Sequence, residues 1–151
     1  SIPKASGLGS SAALSVALCG ALQQLRGADI SPMQASELSH RAEANAQGGR
    51  ASPMDTATSS FGGFVVLSDT IEGDLEYLGV RTMDVEGTTL QWHLHTFNAE
   101  IPEGVALVIG NTGVHGSTSA MVKQVADLLL ENPQRSVELE TSGAIARCFF
   151  S

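Results

Sequence analysis

The stretch Gly7-Leu8-Gly9-Ser10-Ser11-Ala12 constrains this chain more than any other. Two glycines and two serines stand directly before a run of small and apolar residues, ALSVALCGAL. Glycine lets a backbone turn left-handed and approach a ligand closely. The first amides of a helix have no partner inside it, and the helix dipole adds partial positive charge there. Two readings follow: Ser10 or Ser11 caps an ordinary buried helix, or the same amides cradle an anion such as phosphate. The stretch is not a Walker A loop, because no Gly-Lys-Ser/Thr follows, and Ala12 stands where G-x-G-x-x-G needs its last glycine. The Ser11 hydroxyl adds a ligand for a Mg²⁺ that bridges phosphates.

The run predicts a helix to about Arg26, with Gly27 as its stop. Leu14, Leu18, Leu22 and Leu25 form one stripe, and Ala13, Val16, Ala17 and Ala21 widen it, so this helix is expected at the centre of the fold. A second helix starts at Ser31, where Ser31 and Gln34 read as a capping box and Pro32 takes the first helical position. It carries Ala35, Leu38, Ala42 and Ala46 and ends at Gly48-Gly49. RASPMDTATSS reads as a loop with a short helical turn, and FGGFVVLSD as a strand. LEYLGV and LQWHLHTF alternate like strands, and the continuous apolar run VALVIGNT predicts a buried strand. From Ser117 an amphipathic helix presents Met121, Val125, Leu128 and Leu129 until Asn132-Pro133. A final helix, about Arg135 to Phe149, is interrupted at Ser142-Gly143. Helices and strands mix without regular βαβ alternation, which favours α+β.

The chain has 151 residues, 42% hydrophobic and 16% charged, which fits a globular domain and not a disordered one. A formal charge of −8 argues against nonspecific nucleic-acid binding. It leaves room for an anionic ligand if backbone amides and a cation offset the repulsion. Ala12 to Leu22 is too short and broken to span a membrane, and no targeting segment is visible. Cys19 and Cys148 read as core thiols in a reducing compartment, not a disulfide. Both ends are abrupt, as expected of a piece of a longer protein.

Two carboxylates come next. Glu43 lies late on the second helix, and Asp55 follows across the Gly48-Gly49 break. Phosphoryl transfer to an alcohol needs a cation on the phosphates and an acceptor for the hydroxyl proton, and this pair meets that need. The alternatives stay open: Glu43 as a solvated helix residue, and Asp55 as part of a capping box with Ser52. His93 and His95 share a strand face, but no third metal ligand is spaced to join them, so they read as surface residues. His40 reads as a helix-surface residue and His115 as a loop residue.

IPKASGLGSSAALSVAL resembles the second motif of the GHMP kinases. HRAEANAQGGRASPMDTATSSFGGFVVL is similar to the acidic helix and catalytic loop of mevalonate kinases, especially the archaeal type. VIGNTGVHGSTSAMVKQV resembles the segment where their second domain begins. The likeness runs along most of the chain and is weakest from about Asp69 to Ala99. It implies an α+β GHMP kinase fold: an N-terminal part of the ribosomal protein S5 domain 2-like kind over residues 1–111, then the start of the C-terminal domain over 112–151. Pro3, Ser6, Gly7, Leu8, Gly9, Ser10, Ser11 and Ala12 would then line the ATP phosphate site. Ser11 and Glu43 would hold Mg²⁺, and Asp55 would act as base or orienter for the substrate hydroxyl.

Asp55 also discriminates within the superfamily, because homoserine kinases carry Asn at this place. The family's first motif, with a Lys that would pair with the catalytic Asp, and its third, a glycine-rich loop, have no match here. Lys4 does not replace that Lys. The implied activity is ATP-dependent phosphorylation of the 5-hydroxyl of mevalonate in the cytoplasm, for isoprenoid synthesis. The expected partner is a small molecule, neither nucleic acid nor membrane, with a homodimer as the one assembly considered. The alternatives are phosphomevalonate kinase, homoserine kinase and a noncatalytic sensor on the same fold.

Overall fold

The computed structural model describes residues 7–49, 51–85, 87–97, 102–106, 108–110 and 118–148. Contacts divide the chain into two compact units, residues 1–115 and 116–151. The expected boundary at 111/112 lies outside the described residues, as do Pro3, Lys4, Ser6, His115 and the terminal Phe149-Phe150.

In the first unit, α1 (Ser10–Leu25), α2 (Pro32–Ala46) and α3 (Met54–Phe61) precede β1 (Phe64–Ser68), β2 (Glu76–Val85) and β3 (Thr88–Phe97). The strands form an antiparallel sheet in the order β1-β3-β2. The three helices pack on one another, and α3 packs on β1. Their contacts use small side chains: Ala12 of α1, Ala35 and Ala44 of α2 and Ala57 of α3 are buried. Alanine at such crossings lets helix backbones come close, which brings helix ends together as well as flanks. Leu94 of β3, fully buried, is the largest apolar side chain of this core.

Local signals and structure agree best at α2. Ser31 Oγ accepts the Gln34 amide at 3.2 Å, and Gln34 Oε1 accepts the Ser31 amide at 3.0 Å. This reciprocal cap contributes about 1 kcal/mol. Gly27, Gly48 and Gly49 all take positive φ at or just past helix ends.

Elsewhere the sequence reading needs correction. The stripe of α1 is not central: Leu14, Leu18, Leu22 and Leu25 are all exposed, and Ala12 is the buried residue of this helix. The buried face of α2 is mostly polar, comprising Ala35, Ser36, Ser39, His40, Glu43 and Ala44, while Leu38, Ala42 and Ala46 are exposed. The supposed loop after Gly49 contains seven of the eight residues of α3, more than one turn, and the eighth, Phe61, begins the expected strand FGGFVVLSD, whose strand proper is only Phe64–Ser68. Val105, Val108 and Ile109 are exposed and belong to no strand; the described sheet contains β1, β2 and β3 alone. An apolar run becomes a strand only where a neighbour completes its ladder.

In the second unit, α4 (Thr118–Glu131) leads through a 3₁₀ turn (Pro133–Arg135) into α5 (Ser136–Cys148). Gly143 does not interrupt α5, because one glycine costs only about 1 kcal/mol in a helix interior. Met121, Val125 and Leu128 of α4 are exposed. Cys148 is exposed and Cys19 half-buried, so neither is a core thiol. No helix among the described residues is long and apolar enough to cross a membrane.

Candidate active site

The start of α1 is built without a side-chain cap. Gly9 is its N-cap residue, with φ 65° and ψ 26°, in the left-handed region. Neither Ser10 nor Ser11 caps the helix, because both are already inside it. The Gly9 carbonyl accepts the Ala13 amide at 3.0 Å, closing the first turn. The amides of Ser10, Ser11 and Ala12 precede that bond, so no intrahelical carbonyl serves them. Gly7, with φ 71°, turns the chain left-handed a second time. Leu8 between the two glycines is exposed, as is Ser11, while Ser10 is half-buried. A helix mouth with unserved amides and no capping oxygen suits an anion.

Asp55 arrives at this mouth from α3. It lies in the first turn of that helix. A Cβ built on Gly9 would stand 3.4 Å from Asp55 Cγ and 3.6 Å from Oδ2. The expected capping box around Asp55 does not form. Pro53 is the N-cap residue, with no side-chain cap bond, and Ser52 Oγ instead accepts the Met54 amide at 3.2 Å. Among the described residues the exposed Asp55 carboxylate makes no side-chain hydrogen bond, which leaves it available to a ligand.

Glu43 is not a solvated helix residue. It is 9% exposed, on the buried face of α2, the helix that packs against both α1 and α3. Its Oε1 is buried and, among the described residues, has no hydrogen-bond partner. A buried carboxylate oxygen without a donor is costly unless a cation answers it. That orphaned oxygen fits a Mg²⁺ ligand. Among the described residues no group of three or more His, Cys, Asp or Glu side chains gathers as a metal cluster. A site on Glu43 would therefore need hydroxyl, phosphate or water oxygens, which is how Mg²⁺ is commonly held.

Sequence reasoning missed the polar layer between α2 and the sheet. His40, read as a surface residue, is 1% exposed. Its Nε2–H donates to the Ala51 carbonyl at 2.9 Å, since a carbonyl can only accept. The Trp92 ring of β3 meets the imidazole edge-on at 5.8 Å. Burial lowers the His40 pKa and Arg81 lowers it further, against the Ala51 hydrogen bond and Glu43, which raise it. Arg81 of β2, 3% exposed, donates from Nη2 to Ser36 Oγ at 3.1 Å, and its Nη1 meets Glu37 Oε2 at 3.4 Å. Burial lowers the Arg81 pKa, with Glu37 opposing. The spacing Ser36, His40, Glu43 along one helical face was the available signal.

His93 and His95 differ from expectation too. His95 is fully buried, with Nε2 accepting the Glu72 amide at 3.0 Å. His93 Nδ1 pairs with the Tyr77 hydroxyl at 3.2 Å. Neither pairing resembles a metal site.

Comparison with known proteins bears on the family. Residues 1–63 match the family described as GHMP kinases N terminal domain. The chain is 46% identical over 93 residues to the mevalonate kinase of Methanothermobacter thermautotrophicus, covering 58% of this chain and 30% of that protein. It is 33% identical over 133 residues to the mevalonate kinase of Thermococcus sibiricus, covering 88% and 32%. For the mevalonate kinase of Pyrococcus furiosus the identity is 31% over 145 residues, covering 95% and 36%. The chain thus spans about a third of the length of the curated relatives it matches. No solved structure matches it at a significant level.

Proposed function

From a chain that carries a GHMP kinase N-terminal domain and is homologous to archaeal mevalonate kinases over about a third of their length, we propose an ATP-dependent kinase acting on the 5-hydroxyl of mevalonate. The observation that carries this reading is Asp55 beside Gly9, at the uncapped mouth of α1. The amides of Ser10, Ser11 and Ala12 would bind phosphate oxygens of ATP, with Gly7, Leu8 and Gly9 forming the approach. Pro3 and Ser6, assigned to the same loop, lie outside the described residues.

Glu43 and the Ser11 hydroxyl would hold Mg²⁺, whose charge neutralises that of the phosphate oxygens. Asp55 would orient the substrate hydroxyl and accept its proton. The hydroxyl oxygen forms a bond to the γ-phosphorus as the bond from that phosphorus to the bridging oxygen of ADP breaks, and ADP leaves with the electron pair. Most of the rate enhancement in such transfers comes from positioning and charge stabilisation. A mouth and two acids held by mutually packed helices suit that task. The cytoplasmic setting and the part in isoprenoid synthesis follow from this activity.

The experiment is a coupled ADP-release assay on the full-length protein with mevalonate, phosphomevalonate and homoserine offered separately. Turnover with mevalonate alone supports the proposal. Preference for either other substrate moves the protein to another branch of the superfamily. Tight ATP binding without turnover on any of the three supports a sensor.

A further inference from the structure

The connection from α2 to α3 is where the two acids of the site could lose their mutual geometry. Gly48 and Gly49 open it with φ 64° and 84°, a backbone with little intrinsic stiffness. Downstream it is stiff. Pro53 is fully buried, and its carbonyl accepts the Thr56 hydroxyl at 3.1 Å and the Ala57 amide at 2.9 Å. Any swing of the glycine pair would therefore carry the first turn of α3, and Asp55 with it.

One side chain opposes that swing. His40 Nε2–H donates to the Ala51 carbonyl, four residues before Asp55. Among the described residues this is the one side-chain hydrogen bond between α2 and the connection. His40 itself is held, buried and edge-on to Trp92. It lies three residues before Glu43 on the same buried face. We propose that His40 is a positioning residue: its bond to Ala51 latches the Asp55 segment to the helix that carries Glu43. The proposal rests on the kinase reading for its consequence, not for the latch itself.

Three variants of the full-length protein separate the latch from simple packing. His40→Phe keeps a ring against Trp92 but leaves the Ala51 carbonyl without its donor. His40→Gln places an amide donor near the position of Nε2. His40→Asn, whose amide ends short of that position, replaces the Phe variant if the latter does not fold. With ATP and mevalonate, His40→Phe is expected to lose about ten- to hundredfold in kcat, since small misplacements of reacting groups cost that much. KM for ATP should stay within about twofold, because the mouth of α1 is untouched. His40→Gln should recover most of the loss. A uniformly destabilised fold would not be rescued by an isostere of one nitrogen. Hydrogen exchange of the peptide over residues 51–58 should quicken in His40→Phe and return in His40→Gln, whether or not the protein is a kinase.

Normal kcat in His40→Phe, or His40→Gln no better than His40→Phe, overturns the positioning role. Unchanged exchange overturns the latch. Absence of wild-type turnover on mevalonate, with the exchange pattern intact, overturns the kinase reading and leaves the latch standing.

Discussion

Gly9 and Asp55 are so close that a methyl on the first would stand 3.4 Å from Cγ of the second. The glycine is also left-handed, with φ 65°. Gly9→Ala therefore meets a penalty of about 1–2 kcal/mol for an L residue in that conformation, and its methyl would lie in van der Waals contact with the carboxylate, in the space at the mouth of α1. The variant should fold, with a modest loss of stability in urea titration, while kcat falls more than the stability change accounts for. Normal turnover would show that neither the left-handed turn at Gly9 nor the space beside Asp55 matters, and would detach the mouth of α1 from the chemistry.

Asp55 itself has no side-chain hydrogen bond to lose among the described residues, and it is exposed. Asp55→Ala should leave the melting temperature almost unchanged. Loss of a general base typically costs about 10² to 10⁴ in rate. Turnover should fall by that order while ATP binding, read by calorimetry, persists. Unchanged turnover would remove Asp55 from the reaction.

Glu43 makes the opposite case. Its buried, unpartnered Oε1 is a stability cost that a bound cation would relieve. Glu43→Gln removes the charge and keeps the shape. Without Mg²⁺ the variant should be at least as stable as the wild type, and the Mg²⁺ concentration needed for half-maximal activity should rise about tenfold or more. An unaltered Mg²⁺ titration would make Glu43 a structural residue only.

What was legible in the sequence was mostly local. The capping box of Ser31 and Gln34 needs only its own helix, and it forms as read. Alternation made LEYLGV and LQWHLHTF legible as strands, and they overlap the longer β2 and β3, whose pairing the alternation did not give. Burial was less legible, because it depends on what another element brings to the face. The leucines of α1 repeat at helical spacing, yet nothing in that spacing says that a partner covers them. His40 was misread for the converse reason: a polar residue type suggested the surface, while its carbonyl partner lies eleven residues away across two glycines. The meeting of Gly9 with Asp55 is less local still. Spacing left Asp55 open between a cap and a proton acceptor, and family resemblance made it base or orienter for the substrate hydroxyl; neither gave its closeness to Gly9.

Arg81 tests how the sheet holds α2. Its guanidinium reaches Ser36 Oγ, Glu37 and the Met33 carbonyl from β2. Arg81→Ala leaves a void and strips the buried Ser36 hydroxyl of its donor. The expected loss is about 1–3 kcal/mol, the cost of a stranded buried hydroxyl, read as a lower urea midpoint at constant slope. Because α2 carries Glu43 and His40, activity should fall with stability. Arg81→Met fills the space without the charge and should recover part of the loss. A variant as stable as the wild type would show that apolar packing alone seats α2.

His40 gives the fold a pH dependence of definite sign. The groups facing it are the Ala51 carbonyl, Glu43 on its own helix, Arg81 from β2 and Trp92 from β3. Burial dominates and lowers its pKa below the ordinary value of about 6.5. Above that value both folded and unfolded states carry a neutral imidazole, and His40 adds no slope. As pH falls below about 6.5 the unfolded chain takes up the proton first, so stability declines until pH passes the lower, folded-state pKa. Urea midpoints between pH 7.5 and pH 5, about the range of histidine titration, should therefore fall on the acid side in the wild type and fall less in His40→Gln. Carboxylates titrate in both proteins, so the difference between the two curves isolates the imidazole. Parallel curves would mean that His40 keeps an ordinary pKa, and that its burial is relieved on acidification by local opening around Ala51.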